Sequence, residues 1–321
     1  MTGTGETAVG APVFVDCYGE LARRLTPQML EICPGVRVFL SRPKSESELV
    51  DRLQGRRHAI VYMSYLSASV LRACPDLETV AYLSSGLATH ADMDEAKRLG
   101  IEIRGVRNYG DLAVAEHAIA LAFAALKRIA ESDRWVRQGR WELVRTEEFA
   151  GRTFGVIGLG GIGKQVARIA AALGADVIGW SRTGTVGGGI ATGCSLESLL
   201  ARADILSIHL ALTPETDGFI GENELAKVKP GAILVNTARG ALVNEDALVD
   251  ALKSGRLSHC ALDVFCGEPP DPASPLLAME NVTLTPHSAW YTGDAIDRLL
   301  VSGFRLLKQQ IEKSSQAASQ L

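Results

Sequence analysis

The sequence predicts an α/β protein built from two doubly wound parallel sheets, each with its own core. Three observations carry that expectation. The chain has 321 residues, more than one hydrophobic core usually supports. Short apolar, β-like runs alternate with helix-compatible segments along its whole length, a pattern that favours parallel strands joined by crossover helices. The 32 glycines and a 6% aromatic content suit a soluble fold with many tight strand-to-helix turns.

Taken in order, Val13 to Val15 reads as a strand, Gly19 to Leu30 as a helix and Val36 to Leu40 as a second strand. Ser45 to Leu53 is helical behind the Ser-x-x-Glu start of Ser45 and Glu48, which can satisfy the first free N–H groups of a helix. Strands follow at Ala59 to Tyr62, Thr79 to Leu83 and Ile101 to Arg104, separated by short helices at Ser67 to Cys74 and Asp92 to Leu99. A long helix is expected from Asp111 to Ala130, then a charged segment, 131–150, without a clean period. From Gly151 a fresh β/α series starts, with six strands: Thr153 to Leu159, Asp176 to Trp180, Ile205 to Leu210, Ala232 to Asn236, His259 to Val264 and Val282 to Thr285. Helices are read at Ile162 to Leu173, Leu196 to Ala201, Glu222 to Val228 and Glu245 to Ser254, and Gly184 to Gly193 as a surface loop. A last amphipathic helix, Gly293 to Glu312, is placed back on the first domain. The boundaries expected are 1–108 plus 289–321 for a flavodoxin-like domain and 109–288 for a Rossmann domain.

Composition excludes several classes of partner. A net charge of −4 and a pI near 5.9 offer no basic surface for nucleic acid or anionic membrane. Val114 to Ala130, the most apolar stretch, carries Glu116, His117, Lys127 and Arg128 and reads as a buried helix rather than a membrane span. The six cysteines form no C-x-x-C pair and no metal-like spacing with the six histidines, so no metal is expected and the thiols read as reduced. With a polar leader, Met1 to Gly10, that has no secretory character, the expected location is cytoplasmic.

The sharpest local signal is Gly158-Leu-Gly-Gly-Ile-Gly163, which follows an apolar strand and opens an apolar-periodic helix. Gly158 permits the tight turn, Gly160 lets backbone approach a pyrophosphate, and Gly163 lets helix and strand pack closely, with Gly161 and Ile162 at the anion-facing helix start. The motif therefore reads as a dinucleotide site. An acid at the end of the second strand would accept bonds from the 2′-OH of NAD. Here the sequence reads Ser181-Arg182-Thr183, two hydroxyls and a guanidinium suited to a 2′-phosphate. NADP(H) is the expected cofactor, with NAD(H) as the alternative.

Three further motifs, Val235-Asn-Thr-Ala-Arg-Gly240, Ala261-Leu-Asp-Val-Phe265 running into Gly267-Glu-Pro269, and Thr285-Pro-His-Ser-Ala289, resemble in that order the signatures of the D-isomer-specific 2-hydroxyacid dehydrogenase family. Val114-Ala-Glu-His117 and Leu212-Thr-Pro-Glu-Thr216 extend the resemblance along the chain. It implies two Rossmann-like domains with the active site in the interdomain cleft, and a small 2-oxo or 2-hydroxy carboxylate as substrate. By motif, Arg239 would clamp that carboxylate and His287 would be the general acid/base, tuned by Glu268. The chemistry asks for the same types: reducing a ketone builds charge on oxygen, which needs an acid titrating near neutrality and a fixed cation. The resemblance also sets Asp263 on the cofactor carboxamide, Thr237, His209 and Thr213 along the cofactor, and Ser85 and Gly86 backbone on the substrate. Tyr65 and Trp290 would size the pocket. Segment 131–150, with Trp141, would be a dimerisation arm, and the implied state is a homodimer.

Two departures leave the catalytic set intact: Ala211 stands where a proline is usual, and Cys266 where an acid is common. Glu268 argues against formate-type oxidation, which resembles the family but pairs a Gln with its His. Glyoxylate/hydroxypyruvate reductase-like activity ranks first, ahead of a phosphoglycerate dehydrogenase-like enzyme, since no regulatory domain fits after Leu321. A different class remains: Pro286 to Tyr291 is similar to a segment of the corepressors that sense dinucleotides on this fold. They look like NAD binders with an acid where Ser181 stands.

Overall fold

A computed structural model describes residues 10–84, 86–87, 90–184 and 189–318. The chain divides into two compact units, 1–110 with 292–321, and 111–291.

The first unit holds a five-stranded, all-parallel sheet of β1 (Val13–Phe14), β2 (Arg37–Val38), β3 (His58–Val61), β4 (Thr79–Tyr82) and β5 (Glu102–Gly105), in the spatial order β2-β1-β3-β4-β5. That is the flavodoxin order, in which the chain reverses direction beside its first strand. The first helical stretch is two helices, not one. Thr26 caps α2 (Pro27–Ile32) by accepting the Met29 N–H, and α1 (Glu20–Arg24) stops before it, because proline lacks the N–H needed mid-helix and is welcome at the first position. α3 (Glu46–Leu53) starts on the Ser45 cap as expected, with Ser45 Oγ accepting the Glu48 N–H and Glu48 accepting the Lys44 N–H. Two short helices, α4 (Ala68–Arg72) and α5 (Met93–Arg98), complete the β/α series. The last helix, α12 (Gly293–Ala318), belongs to this unit and runs six residues beyond the expected Glu312. Its Phe304 meets Phe14 of β1 edge to face, ring centres 6.2 Å apart, and Asp297 takes a two-pronged bond from Arg24.

The second unit begins with α6 (Asp111–Leu126) and α7 (Ile129–Arg137), where a single helix to Ala130 was expected. The break sits at Arg128, whose backbone is left-handed (φ 48°) and whose guanidinium grips the buried carboxylate of Glu131 with two bonds of 2.6 Å. Segment 131–150 is accordingly helical as far as Arg137 and irregular after it. Seven strands then form one parallel sheet: β6 (Thr153–Ile157), β7 (Asp176–Trp180), β8 (Thr192–Gly193), β9 (Ile205–Ile208), β10 (Ala232–Asn236), β11 (Leu257–Leu262) and β12 (Val282–Leu284), in the order β12-β11-β10-β9-β6-β7-β8. Six were expected; β8 adds an edge from what was read as loop, and two-residue strands carry too little apolar pattern to be seen in sequence. The crossovers are α8 (Gly161–Ala172), α9 (Leu196–Arg202), α10 (Glu222–Lys227) and α11 (Glu245–Lys253). Strand order reverses between β6 and β9, which makes the carboxyl ends of these two strands the place where a ligand crevice opens in such sheets. Among the described residues no helix is long and apolar enough to cross a membrane.

Candidate active site

The glycine turn leaves β6 at Ile157 and enters α8 through Gly160. Gly158 has φ +99°, and a Cβ there would fall 2.6 Å from the carbonyl of His209, which leaves β9. Only glycine lets the two strand ends close to this distance. Over Gly160 an added Cβ meets nothing within 4 Å, so backbone is open to a ligand. Asp111, at the start of α6, lays its carboxylate over Gly161, and burial raises its carboxyl above the ordinary range. Because Ile157 of β6 pairs with Trp180 of β7, the turn lies beside Ser181 and Arg182. Arg182 and Thr183 are exposed and Ser181 half-buried.

Four buried side-chain polar atoms among the described residues of this unit have no protein partner, Trp135 Nε1, His209 Nδ1, Thr237 Oγ1 and His259 Nδ1, and two of them, on His209 and Thr237, follow β9 and β10 at the strand ends. His209 is neutral: burial lowers its imidazole to about 3, and its Nε2 lies 2.8 Å from Ser207 Oγ. Buried polar groups almost always find partners, so two orphans at strand ends beside an open glycine turn fit a dinucleotide. Thr213 is bound to its own turn, its N–H donating to Thr216 Oγ1 at 2.7 Å. Glu215 sits below the usual carboxylate range, held there by the Thr213 hydroxyl, its own N–H and the charge of Arg182.

The His287–Glu268 pair is made by two loops. His287 follows β12 with a left-handed backbone (φ +50°), and its Nδ1 is 2.6 Å from Glu268 Oε2. Glu268 Oε1 accepts the Phe265 N–H at 3.1 Å, so the carboxylate is aimed by its own loop. With Nδ1 taken, Nε2 is the atom left to exchange a proton. Arg239 follows β10 on a turn that Asn236 clamps from both sides, its amide donating to the Arg239 carbonyl at 2.8 Å and its oxygen accepting the Ala238 N–H at 3.0 Å. At Gly240 any Cβ would overlap the Phe265 carbonyl. Glycine is thus what lets the Arg239 turn and the Glu268 loop lie against each other.

Asp263, the residue that the resemblance sets on the cofactor carboxamide, lies directly after β11. It is fully buried, and its oxygens accept from Thr285 Oγ1 (2.6 Å) and from the N–H groups of Ser288 and Ala289 (both 2.9 Å). It therefore holds the His287 loop. Trp290 stands edge-on to Tyr291, ring centres 5.2 Å apart.

Of the substrate residues expected in the first unit, Tyr65 is about half exposed, the Gly86 N–H donates to Ser84 Oγ at 3.3 Å, and Ser85 lies outside the described residues. The loop before Tyr65 is held by Asp16, which no sequence signal marked. Its carboxylate accepts the N–H groups of Tyr62, Met63 and Ser64 and the Ser64 hydroxyl, all within 2.7–2.9 Å.

A glycine turn at the switch point of a parallel sheet, with an arginine, a glutamate and a histidine at neighbouring strand ends, defines a nicotinamide-dinucleotide oxidoreductase. Residues 119–289 match the family described as D-isomer specific 2-hydroxyacid dehydrogenase, NAD binding domain. The chain belongs to that family. It is 36% identical to the glycerate dehydrogenase of Methylorubrum extorquens, over 78% of this chain and 82% of that one. It is 42% identical to the glyoxylate reductase of Aeropyrum pernix, over 70% of each. A solved acyclic imino acid reductase in complex with NADPH and D-Arg is 27% identical, with TM-score 0.81, over 94% of this chain and 97% of that one. The chain spans about half the length of the D-3-phosphoglycerate dehydrogenases that it also matches.

Proposed function

We propose that the protein reduces a small 2-oxo carboxylate, of the size of glyoxylate or hydroxypyruvate, to its D-2-hydroxy acid with NADPH. The observation that carries this reading is the 2.6 Å pair of His287 Nδ1 and Glu268 Oε2, on a loop that packs against the turn bearing Arg239. The Arg239 guanidinium binds the planar carboxylate and stabilises charge growing on the keto oxygen. His287 Nε2 gives its proton to that oxygen, and Glu268 favours the protonated ring that can do so. Bound NADPH supplies the hydride; Thr237, His209 and the Gly158–Gly163 turn hold the dinucleotide, and Arg182, with Ser181 and Thr183, meets its 2′-phosphate. Tyr65, the Ser85–Gly86 loop and Trp290 bound the substrate. The glyoxylate reductase and glycerate dehydrogenase relatives support the substrate class, and a relative solved with NADPH supports the cofactor.

The same reading makes the protein a homodimer through segment 131–150. Val136, Trp141 and Leu143 are all more than half exposed there, as is Ile129 just before it, an apolar concentration that a second copy would cover. Sedimentation should give twice the chain mass, and a Trp141→Glu, Leu143→Glu variant should give monomer.

The test of function is loss of reduced-nicotinamide absorbance with NADPH and NADH against glyoxylate, hydroxypyruvate, pyruvate, phenylpyruvate and phosphohydroxypyruvate. Turnover of the smaller acids with NADPH preferred is the expected outcome. Tight dinucleotide binding without turnover of any of them would replace this reading with a dinucleotide-sensing role.

A further inference from the structure

His117, in the Val114–His117 motif on α6, takes no part in the chemistry above. Its Nε2 lies 3.0 Å from Thr285 Oγ1, and Thr285 Oγ1 lies 2.6 Å from Asp263 Oδ1. A hydroxyl has one proton and a carboxylate only accepts. Thr285 must therefore donate to Asp263, and His117 must donate to Thr285 from Nε2. The direction of the chain is fixed: His117 Nε2–H to Thr285 O–H to Asp263.

That chain ends on the group that holds the loop of His287. Asp263 accepts the N–H groups of Ser288 and Ala289 with its side chain, and its backbone carbonyl accepts the His287 N–H at 2.8 Å. His287 itself sits at φ +50°, a conformation that is strained for a non-glycine residue and persists only where neighbours impose it. We infer that His117 is a positioning residue for His287: it orients the Thr285 hydroxyl, which fixes the Asp263 carboxylate, which holds the left-handed loop. The inference rests on His287 being the acid/base residue.

The test uses the full chain, five single variants, His117→Phe, His117→Gln, Thr285→Val, Thr285→Ser and His287→Ala, and the double variant His117→Phe, Thr285→Val. A misplacement near 1 Å can cost up to about a hundredfold. His117→Phe and Thr285→Val should therefore each lower kcat by roughly ten- to a hundredfold, with NADPH Kd and thermal midpoint nearly unchanged. Combined, they should do no more damage than the worse of the two. His117→Gln and Thr285→Ser, which keep a donor and a hydroxyl, should recover most of the loss. The inference is overturned if His117→Phe or Thr285→Val leaves kcat within twofold of the parent while His287→Ala is inactive, or if Phe and Gln at position 117 are equally damaging. Full activity of His287→Ala would overturn the acid/base reading instead.

Discussion

The two units solve the same problem with the same residue, and use the solution differently. Each parallel sheet ends in loops whose N–H groups have lost their strand partners, and each has a fully buried aspartate just past a strand to receive them. Asp16, beyond β1, takes three consecutive N–H groups and a hydroxyl from the loop after β3. Asp263, directly after β11, takes two N–H groups and a hydroxyl from the loop after β12. The surroundings then diverge. Near Asp16, titratable side chains are pushed away from neutrality: burial, with Asp16 close by, raises Cys17 to about 12 and pushes Tyr82 above its ordinary range. The Asp263 network instead runs out to His117 and carries His287. The buried carboxylate ties down a loop in both units, and only in the second does that loop carry the residue proposed as proton donor.

The largest effect expected from breaking this comparison is on stability. Asp16→Ala leaves three N–H groups, two of them buried, and a buried hydroxyl without an acceptor, and should cost about 3–5 kcal/mol in urea or thermal unfolding. Asp263→Ala should cost a similar amount. The two should separate in kinetics, with Asp16→Ala reading mainly in substrate KM and Asp263→Ala mainly in kcat. Equal kinetic profiles would dissolve the distinction drawn above, and a loss no larger than that of a surface substitution would deny Asp16 its role. Next in size is His287→Ala, which should lower kcat by about a hundredfold or more while dinucleotide affinity stays close to that of the parent.

A third effect is a pH dependence concentrated in the second unit. Burial, with the charges of Arg128 and Arg134, lowers His259 from its ordinary 6.5 to about 4. The unfolded chain therefore binds a proton that the folded chain refuses. The stabilisation is complete above about pH 6.5 and is lost as pH falls toward 4, at about 1.4 kcal/mol per unit. Between pH 6.5 and 5 that amounts to about 2 kcal/mol. His58 of the first unit is shifted in the same direction by burial. Urea unfolding across this range should show the loss, and His259→Asn should flatten it; an unchanged slope would assign the acid sensitivity elsewhere.

The sequence carried the parts of the site that are contiguous. The Gly158 turn, the Arg239 and His287 motifs and the strand ends bearing them are local patterns whose chemistry is set by neighbours along the chain. What it did not carry is joined over long separations. Asp16 meets residues 46–48 positions away and has no local mark, and the Val114–His117 motif does not show that His117 meets Thr285 across 168 positions. Asn236 stood inside a quoted motif, yet its clamp on Arg239 appears only as side-chain geometry. The helix break at Arg128 was hidden because arginine is a good helix former, and what ends α6 there is a left-handed backbone beside an ion pair with a buried glutamate.

The smallest effect tests the far end of the cofactor site, where no buried carboxylate organises the loop. Arg182 is exposed, so its bond to a 2′-phosphate would be weakened by solvent and salt. Arg182→Ala should shift the NADPH-to-NADH ratio of kcat/KM by about tenfold, near the low end for a charged hydrogen bond. Glu215 supplies the opposite sign. Its carboxylate feels the charge of Arg182 and opposes an incoming phosphate, so Glu215→Gln should raise the preference for NADPH, by less than Arg182→Ala lowers it. Steady-state kinetics with both cofactors at two salt concentrations would check the pair. A ratio that neither substitution moves would leave Arg182 as a solvated surface charge and return the cofactor assignment to NAD.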